Sequence, residues 1–170
     1  MRIAITGHTK GFGLALASHF GNSHEIIGIS RTTGYTFPDD FERALETIQS
    51  CDLFLNNTHQ GTIQAQFINR LQSIIPIVTT GSMASKFDQR GVIAYSDEKK
   101  IIEDTHNSYK SISLKPLLLL EIGVLENSIP ETGIRFSHII ETIECWLRCP
   151  RMTVVEFADR NINFLSPLGL

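Results

Sequence analysis

Tyr95 and Lys99 stand four residues apart, and Ser82 precedes the tyrosine by thirteen. A phenol, an ammonium and a hydroxyl can together move a proton to or from an oxygen, provided the phenolate is stabilised. A free phenol ionises near pH 10, about 4 kcal/mol from useful acid–base work at neutral pH. An opposite charge nearby shifts a pKa by about 1–3 units, and positions i and i+4 share a helix face. Ser82 follows an apolar stretch that ends at Thr80. A hydroxyl just past a strand end can hydrogen-bond a ligand bound there. Each piece also has a plain reading. Tyr-x-x-x-Lys occurs on ordinary helices, Ser85 competes with Ser82, and serines form turns.

A second constellation opens the chain: Thr6-Gly7-His8-Thr9-Lys10-Gly11-Phe12-Gly13. After a strand, Gly7 permits a tight turn, Gly11 lets the main chain approach a pyrophosphate, and Gly13 lets the following helix lie close to the strand. The helix N-terminus adds free N–H groups and about half a positive charge. The turn is therefore suited to a dinucleotide, with Gly7, Thr9, Lys10, Gly11, Phe12 and Gly13 as candidate contacts. Arg31 closes the next strand, where an adenine ribose would arrive. An acidic residue there suits NAD, whereas an arginine offers its fork to a 2′-phosphate, and Lys10 can reach the same region. NADP is expected over NAD. The plain alternative is two solvated surface charges.

The elements that must position these groups alternate. Ile3–Thr6 reads as a buried strand, Leu14–Phe20 as a helix stopped by Gly21-Asn22, and Glu25–Ser30 as a second strand. That is the strand–helix–strand unit the glycine motif requires. Pro38-Asp39-Asp40 can start a helix running to about Gln49, with Phe41, Ala44, Leu45 and Ile48 on one face. Asp52–Asn56 then reads as a strand, Thr62–Ser73 as a helix and Ile74–Thr80 as a strand. Ser82–Gly91 reads as a loop, and Tyr95–His106 as a helix with Ile101, Ile102 and Thr105 on its apolar side. Ser111–Leu119 fits a strand, with Lys115-Pro116 awkward inside it; Leu117–Leu125 fits a helix equally well. Ser137–Arg148 reads as an amphipathic helix and Met152–Phe157 as a last strand. The alternation predicts an α/β, doubly wound parallel sheet of three layers, Rossmann-like, in a single domain over 1–170.

Composition narrows the partners. At 170 residues, 42% hydrophobic and 19% charged, the chain is ordinary for a globular protein. A net charge of −3 argues against a general nucleic-acid binder. The opening apolar run is too short for a secretory signal, and Leu117–Leu120 with Ile122 and Val124 falls far below a membrane span. Cys51, Cys145 and Cys149 make no disulfide framework. Cys145 and Cys149 are conceivable as a metal pair, but no histidine stands at a familiar zinc spacing, and no metal is expected. A cytoplasmic setting is the expectation.

Taken together, these residues resemble the short-chain dehydrogenase/reductase family. Thr6-Gly7-x-x-x-Gly11-x-Gly13 matches its cofactor motif. Asn56-Asn57-Thr58-His59 is similar to its Asn-Asn-Ala-Gly strand end in the first two positions and not in the last two. Ser82 and Tyr95-x-x-x-Lys99 match its catalytic set in order and separation. The resemblance spans about residues 1–120. It implies that Tyr95 is the proton donor or acceptor and that Lys99 lowers its pKa and holds the nicotinamide ribose. It further implies that Ser82 orients the carbonyl and that Asn56 and Asn57 shape the strand end beside the cofactor. The implied activity is hydride transfer between NADP(H) and a small carbonyl or alcohol, by a homodimer or homotetramer.

The chain also departs from that pattern. The stretch from Asn57 to Ser82 is short by about one helix, and the family's catalytic asparagine has no counterpart; Asn69 is the only asparagine between them. The link from Arg31 to Phe41 is too short for a helix and a strand, and Lys115-Pro116 stands where the family often has Pro-Gly. The competing reading is a non-catalytic NADP(H)-binding sensor or scaffold on the same fold. A pure interaction protein with no ligand is a third. Thr58–Gly61, Met83–Phe87 and the region after Pro116 would line a substrate pocket, and none of them is diagnostic.

Overall fold

The computed structural model describes residues 1–83, 93–123, 133–151, 153–158 and 161–165. Ser85, Phe87, Gly91 and most of the stretch that would follow the strand after Pro116 lie outside them. Among the described residues are seven strands and five α-helices, alternating up to β6: β1 (Arg2–Thr6), α1 (Gly11–Phe20), β2 (Glu25–Ile29), α2 (Phe41–Gln49), β3 (Leu53–Asn56), α3 (Ile63–Leu71), β4 (Ile77–Ser82), α4 (Ile93–Tyr109), β5 (Leu117–Ile122), α5 (Phe136–Arg148), β6 (Val154–Ala158) and β7 (Asn161–Leu165).

The sheet order is β2-β1-β3-β4-β5-β6-β7. Every pairing is parallel except β6 with β7. The chain moves outward one way from β1 to β2 and the other way from β3 onward. That reversal opens a crevice above the carboxyl ends of β1 and β3, where ligands bind in such sheets. Strands buried on both faces need unbroken apolar runs, and Leu53-Phe54-Leu55 and Leu117-Leu118-Leu119-Leu120 supply them, all fully or nearly fully buried.

One face of the sheet is covered by α1 and α5. Leu16 and Phe20 meet Ile3 and Ile5, while Ile139, Ile143 and Trp146 meet Leu118, Leu120 and Phe157. The other face takes α2, α3 and α4. There Ala44, Leu45 and Ile48 pack with Phe67 and Leu71 over Ala4, Phe54 and Ile77, and Ile68 and Ile102 close over Leu119.

Several boundaries differ from the sequence expectation, each for a local reason. The second helix starts at Phe41, because Pro38–Asp40 form a turn in which the Thr36 amide is held by the Asp40 carboxylate at 2.7 Å. The fifth strand starts at Leu117, not Ser111. Ser113 bonds back to Lys115 and across to Gln72, and Pro116, which has no N–H, contributes only its carbonyl, to Ile77. Ser82 is the last residue of β4 rather than a loop residue. On α4 the inward positions are Lys99, Ile102 and His106, while Ile101 is 43% exposed. The final β7, antiparallel to β6, was not anticipated. No strand lies between Arg31 and Phe41; a 3₁₀ turn at Arg31–Thr33 stands there instead. No described helix is long and apolar enough to cross a membrane.

Candidate functional site

The glycine turn has the backbone the motif requires. Gly7 and Gly11 adopt φ of +67° and +50°, a region that side chains disfavour. Gly13 has no room for one: a Cβ there would lie 2.1 Å from the Gly7 carbonyl oxygen and 2.6 Å from Asn57 Nδ2. The helix's first own bond runs from Leu14 N to Lys10 O, and no side chain caps α1. The amides of Gly11, Phe12 and Gly13 are therefore outside its ladder, at an end that carries positive charge. These features fit a diphosphate. Thr9, Lys10 and Gly11 are exposed, whereas Phe12 is buried with its ring against Phe136 at 5.5 Å, so only its main chain can serve a ligand. Arg31 stands exposed just beyond the end of β2, with no described ion-pair partner.

His8, which sequence reasoning passed over, folds its ring onto β2. A Cβ on Gly28 would fall 2.3 Å from that ring, so Gly28 is the signal that was missed. Burial lowers the His8 pKa.

Under the crevice lies a web of buried polar groups. Thr6 Oγ1 accepts from the amides of Asn57 and Thr58 at 2.9 and 3.0 Å, tying the end of β1 to the exit of β3. Asn57 rests against Gly7 and Gly13, and its Oδ1 accepts from the Thr80 hydroxyl at 3.3 Å. Asn56 is fully buried, its amide donating to Gln64 O at 2.9 Å and to Thr79 Oγ1 at 3.4 Å. It holds the strand end from inside and presents no surface to a ligand. Gln64 donates to Asn56 O at 2.7 Å and Thr80 O at 3.1 Å.

Lys99 joins this web. Its Nζ donates to Gln64 Oε1 at 2.8 Å and to Thr80 O at 3.3 Å, and only 4% of the residue is exposed. Burial draws its pKa down to about 8, against the pull of Glu98. The Tyr95 ring centroid is 5.8 Å from that ammonium. His59 sets its ring edge-on to Tyr95, centroids 4.8 Å apart, and its Nδ1 is 3.7 Å from Glu98. Burial, then the Lys99 charge, lower the His59 pKa, with Glu98 opposing. Ser82 is half-buried at the end of β4, two residues beyond the Thr80 carbonyl that Lys99 holds.

The predicted residues thus fall at one end of the sheet, and a run of contacts through Thr80 and Gln64 joins the glycine turn and Asn57 to Lys99 and Tyr95. Asn69 is exposed on α3 and takes no part. Gln64 was missed, and His59 was named only as part of the Thr58–Gly61 stretch. Gln64 carried a signal, a lone amide on the inner helix face with Ile63, Phe67, Ile68 and Leu71. Among the described residues, no three His, Cys, Asp or Glu side chains gather for a metal ion. Cys145 and Cys149 are free and exposed.

No family model matches the chain, and no curated protein matches its sequence. Solved structures do match its fold. They include a 3-ketoacyl-(acyl-carrier-protein) reductase from Brucella melitensis complexed with NADH, at 12% identity and a TM-score of 0.72, covering 94% of this chain and 98% of that one. A short chain dehydrogenase from Burkholderia cenocepacia in complex with NADP matches at 13% identity and a TM-score of 0.68, covering 92% and 87%. A serine dehydrogenase from Escherichia coli matches at 14% identity and a TM-score of 0.69, covering 92% and 97%. At such identities the likeness defines the architecture: the chain has the α/β Rossmann-like fold of the short-chain dehydrogenase/reductase structures.

Proposed function

We propose that the protein is an oxidoreductase that interconverts a small carbonyl compound and its alcohol with NADP(H), using Tyr95 as the acid/base. The observation that carries this reading is the unbroken line of contacts between a turn suited to a diphosphate and the Tyr95–Lys99 pair. Gly7, Gly11 and Gly13 and the amides of the first turn of α1 would hold the diphosphate. Lys10 and Arg31 would favour a 2′-phosphate, since charge-assisted bonds contribute about 1.5–3 kcal/mol each. When bound, NADPH supplies a hydride to the carbonyl carbon. Tyr95 gives its phenolic proton to the carbonyl oxygen, Ser82 hydrogen-bonds that oxygen, and Lys99 favours the phenolate that remains. The same reading has the chain working as a homodimer or homotetramer in the cytoplasm, on a small molecule and without a nucleic-acid or membrane partner.

A second reading, a non-catalytic NADP(H)-binding sensor or scaffold, is favoured by one observation: the Lys99 ammonium is turned into the protein, onto Gln64 and Thr80. The test is NADPH consumption against a panel of small aldehydes and ketones, beside NADPH and NADH binding. The enzyme reading expects turnover, a fall of about 100-fold or more in Tyr95→Phe and Lys99→Met, and at least about tenfold tighter binding of NADPH than NADH. Tight binding with no turnover on any substrate would select the sensor. No binding at all would defeat both.

A further inference from the structure

Lys99 is a buried cation, and among the described residues no buried anion is paired with it. Its ammonium has three donors. Two are taken by neutral acceptors, Gln64 Oε1 on α3 and the Thr80 carbonyl on β4. Gln64 is itself 1% exposed, and its own amide is held by two carbonyls of β3 and β4. Its oxygen therefore has a fixed direction, and that direction is Lys99. Among the described residues, the charged or titratable groups around the ammonium are few. Glu98 and Tyr95 share its helix, and His59 faces it from the loop after β3. Glu121, the buried carboxylate on the same sheet face, belongs to β5, the strand beyond β4.

We infer that Gln64 is the positioning residue of Lys99: its amide oxygen fixes the ammonium beneath Tyr95, leaves one donor without an acceptor among the described residues, and does so without cancelling the charge. The last point separates glutamine from its acidic homologue. A carboxylate at position 64 would make the same bond and neutralise the field that reaches Tyr95. An apolar side chain would spare the charge and lose the bond. Gln64 does not touch substrate or nucleotide in this scheme; it acts through Lys99. The inference rests on the proposed function for its catalytic consequence, and on the Lys99 environment alone for its electrostatic one.

Two variants move the ammonium in opposite directions. Hydrogen bonding to the charged form of a group favours that form, and an adjacent opposite charge favours it more strongly. Gln64→Met is expected to shift Lys99 titration below its value of about 8, and Gln64→Glu to shift it upward, each by about one unit or more. The midpoint is read from the ¹³Cε resonance of Lys99 in ¹³C-lysine-labelled, cofactor-free protein, assigned with Lys99→Met. Where the wild type turns over, the basic limb of its kcat profile follows the same two displacements, and Gln64→Glu loses about tenfold or more in kcat at pH 7. A residue that merely packs would lower Tm in both variants and leave both profiles in place. Unmoved Lys99 midpoints in folded variants overturn the inference even if the wild type is active. A wild type without turnover overturns the catalytic reading, while opposed midpoint shifts would still establish Gln64 as the anchor.

Discussion

The two faces of the sheet are made differently. The face under α1 and α5 is apolar almost throughout: Ile3, Ile5, Leu16, Phe20, Leu118, Leu120, Ile139, Ile143, Trp146 and Phe157 fill it. Two buried polar side chains stand on this face: Thr142 of α5, which donates to His138 O in its own helix, and Thr80, which alternates with Val78 at the end of β4 and donates to Asn57 Oδ1. The opposite face buries Thr6, Asn56, Gln64, Thr79, Lys99, His106 and Glu121 among its apolar residues. Burying a polar group costs free energy unless it is paired, and burying a charge costs more. A chain that bears most of these costs on one face, including both buried ionisable side chains of α4, has divided its labour. The first face supplies stability, and the second holds the ends of β1, β3 and β4 in the geometry the crevice needs.

The sharpest way to break this division is to cut into the apolar face and look for a purely energetic effect. Trp146 is 1% exposed and the largest side chain in the core. Trp146→Ala is expected to cost about 3–5 kcal/mol, read from urea denaturation, while the folded fraction keeps its affinity for NADPH. An affinity that fell with the truncation would mean that α5 serves the site as well as the core.

The polar face is expected to betray itself by pH. His106 is 1% exposed, and burial lowers its pKa to about 4, the hydrogen bond to Thr153 opposing and Lys110 adding. An unfolded histidine ionises near 6.5, so between about 4 and 6.5 the unfolded chain binds more protons than the folded one, and stability rises with pH across that window. Above it the neutral ring costs nothing in charge; as pH falls through it, roughly 3 kcal/mol is lost. The difference between wild type and His106→Gln, measured by urea denaturation at several pH values from 4 to 7.5, should carry that slope. Parallel curves for the two proteins would remove His106 from the account.

The same contrast explains what could be read in the sequence. On the apolar face the signal is spacing, and Ile139, Ile143 and Trp146 announce a helix whose inner stripe is continuous. The glycine turn was equally legible, because Gly7, Gly11 and Gly13 are required by backbone geometry that any such turn must share. Lys99 and Tyr95 were found by separation alone, but where the ammonium points was not, since Gln64 meets it from a different helix and only the fold brings the two together. His8 over Gly28 and His59 against Tyr95 are contacts of the same kind. Strand β7 escaped because Asn161-Ile162-Asn163-Phe164-Leu165 is short and its partner is set by tertiary pairing with β6. On α4 a period count favoured Ile101, whereas the fold turns Lys99 and His106 inward at the positions around Ile102.

The finest test compares two threonines of equal shape, one on each face. Thr142 Oγ1 donates to His138 O four residues back in its own helix, at 2.9 Å. That carbonyl already belongs to the helix ladder, so Thr142→Val removes a redundant bond and is expected to change stability by no more than about 0.5 kcal/mol. Thr6 Oγ1 instead accepts from two main-chain amides, Asn57 N and Thr58 N, which have left the sheet at the end of β3 and have no ladder to return to. Thr6→Val strands both donors, for a cost of about 1–3 kcal/mol. It also releases Asn57 from the floor of the glycine turn, where its amide lies against Gly7 and Gly13. The Thr6 variant should therefore lose NADPH affinity as well as stability, and the Thr142 variant neither. Equal effects from the two substitutions would erase the distinction between the faces, because each removes one hydroxyl and only the surroundings differ.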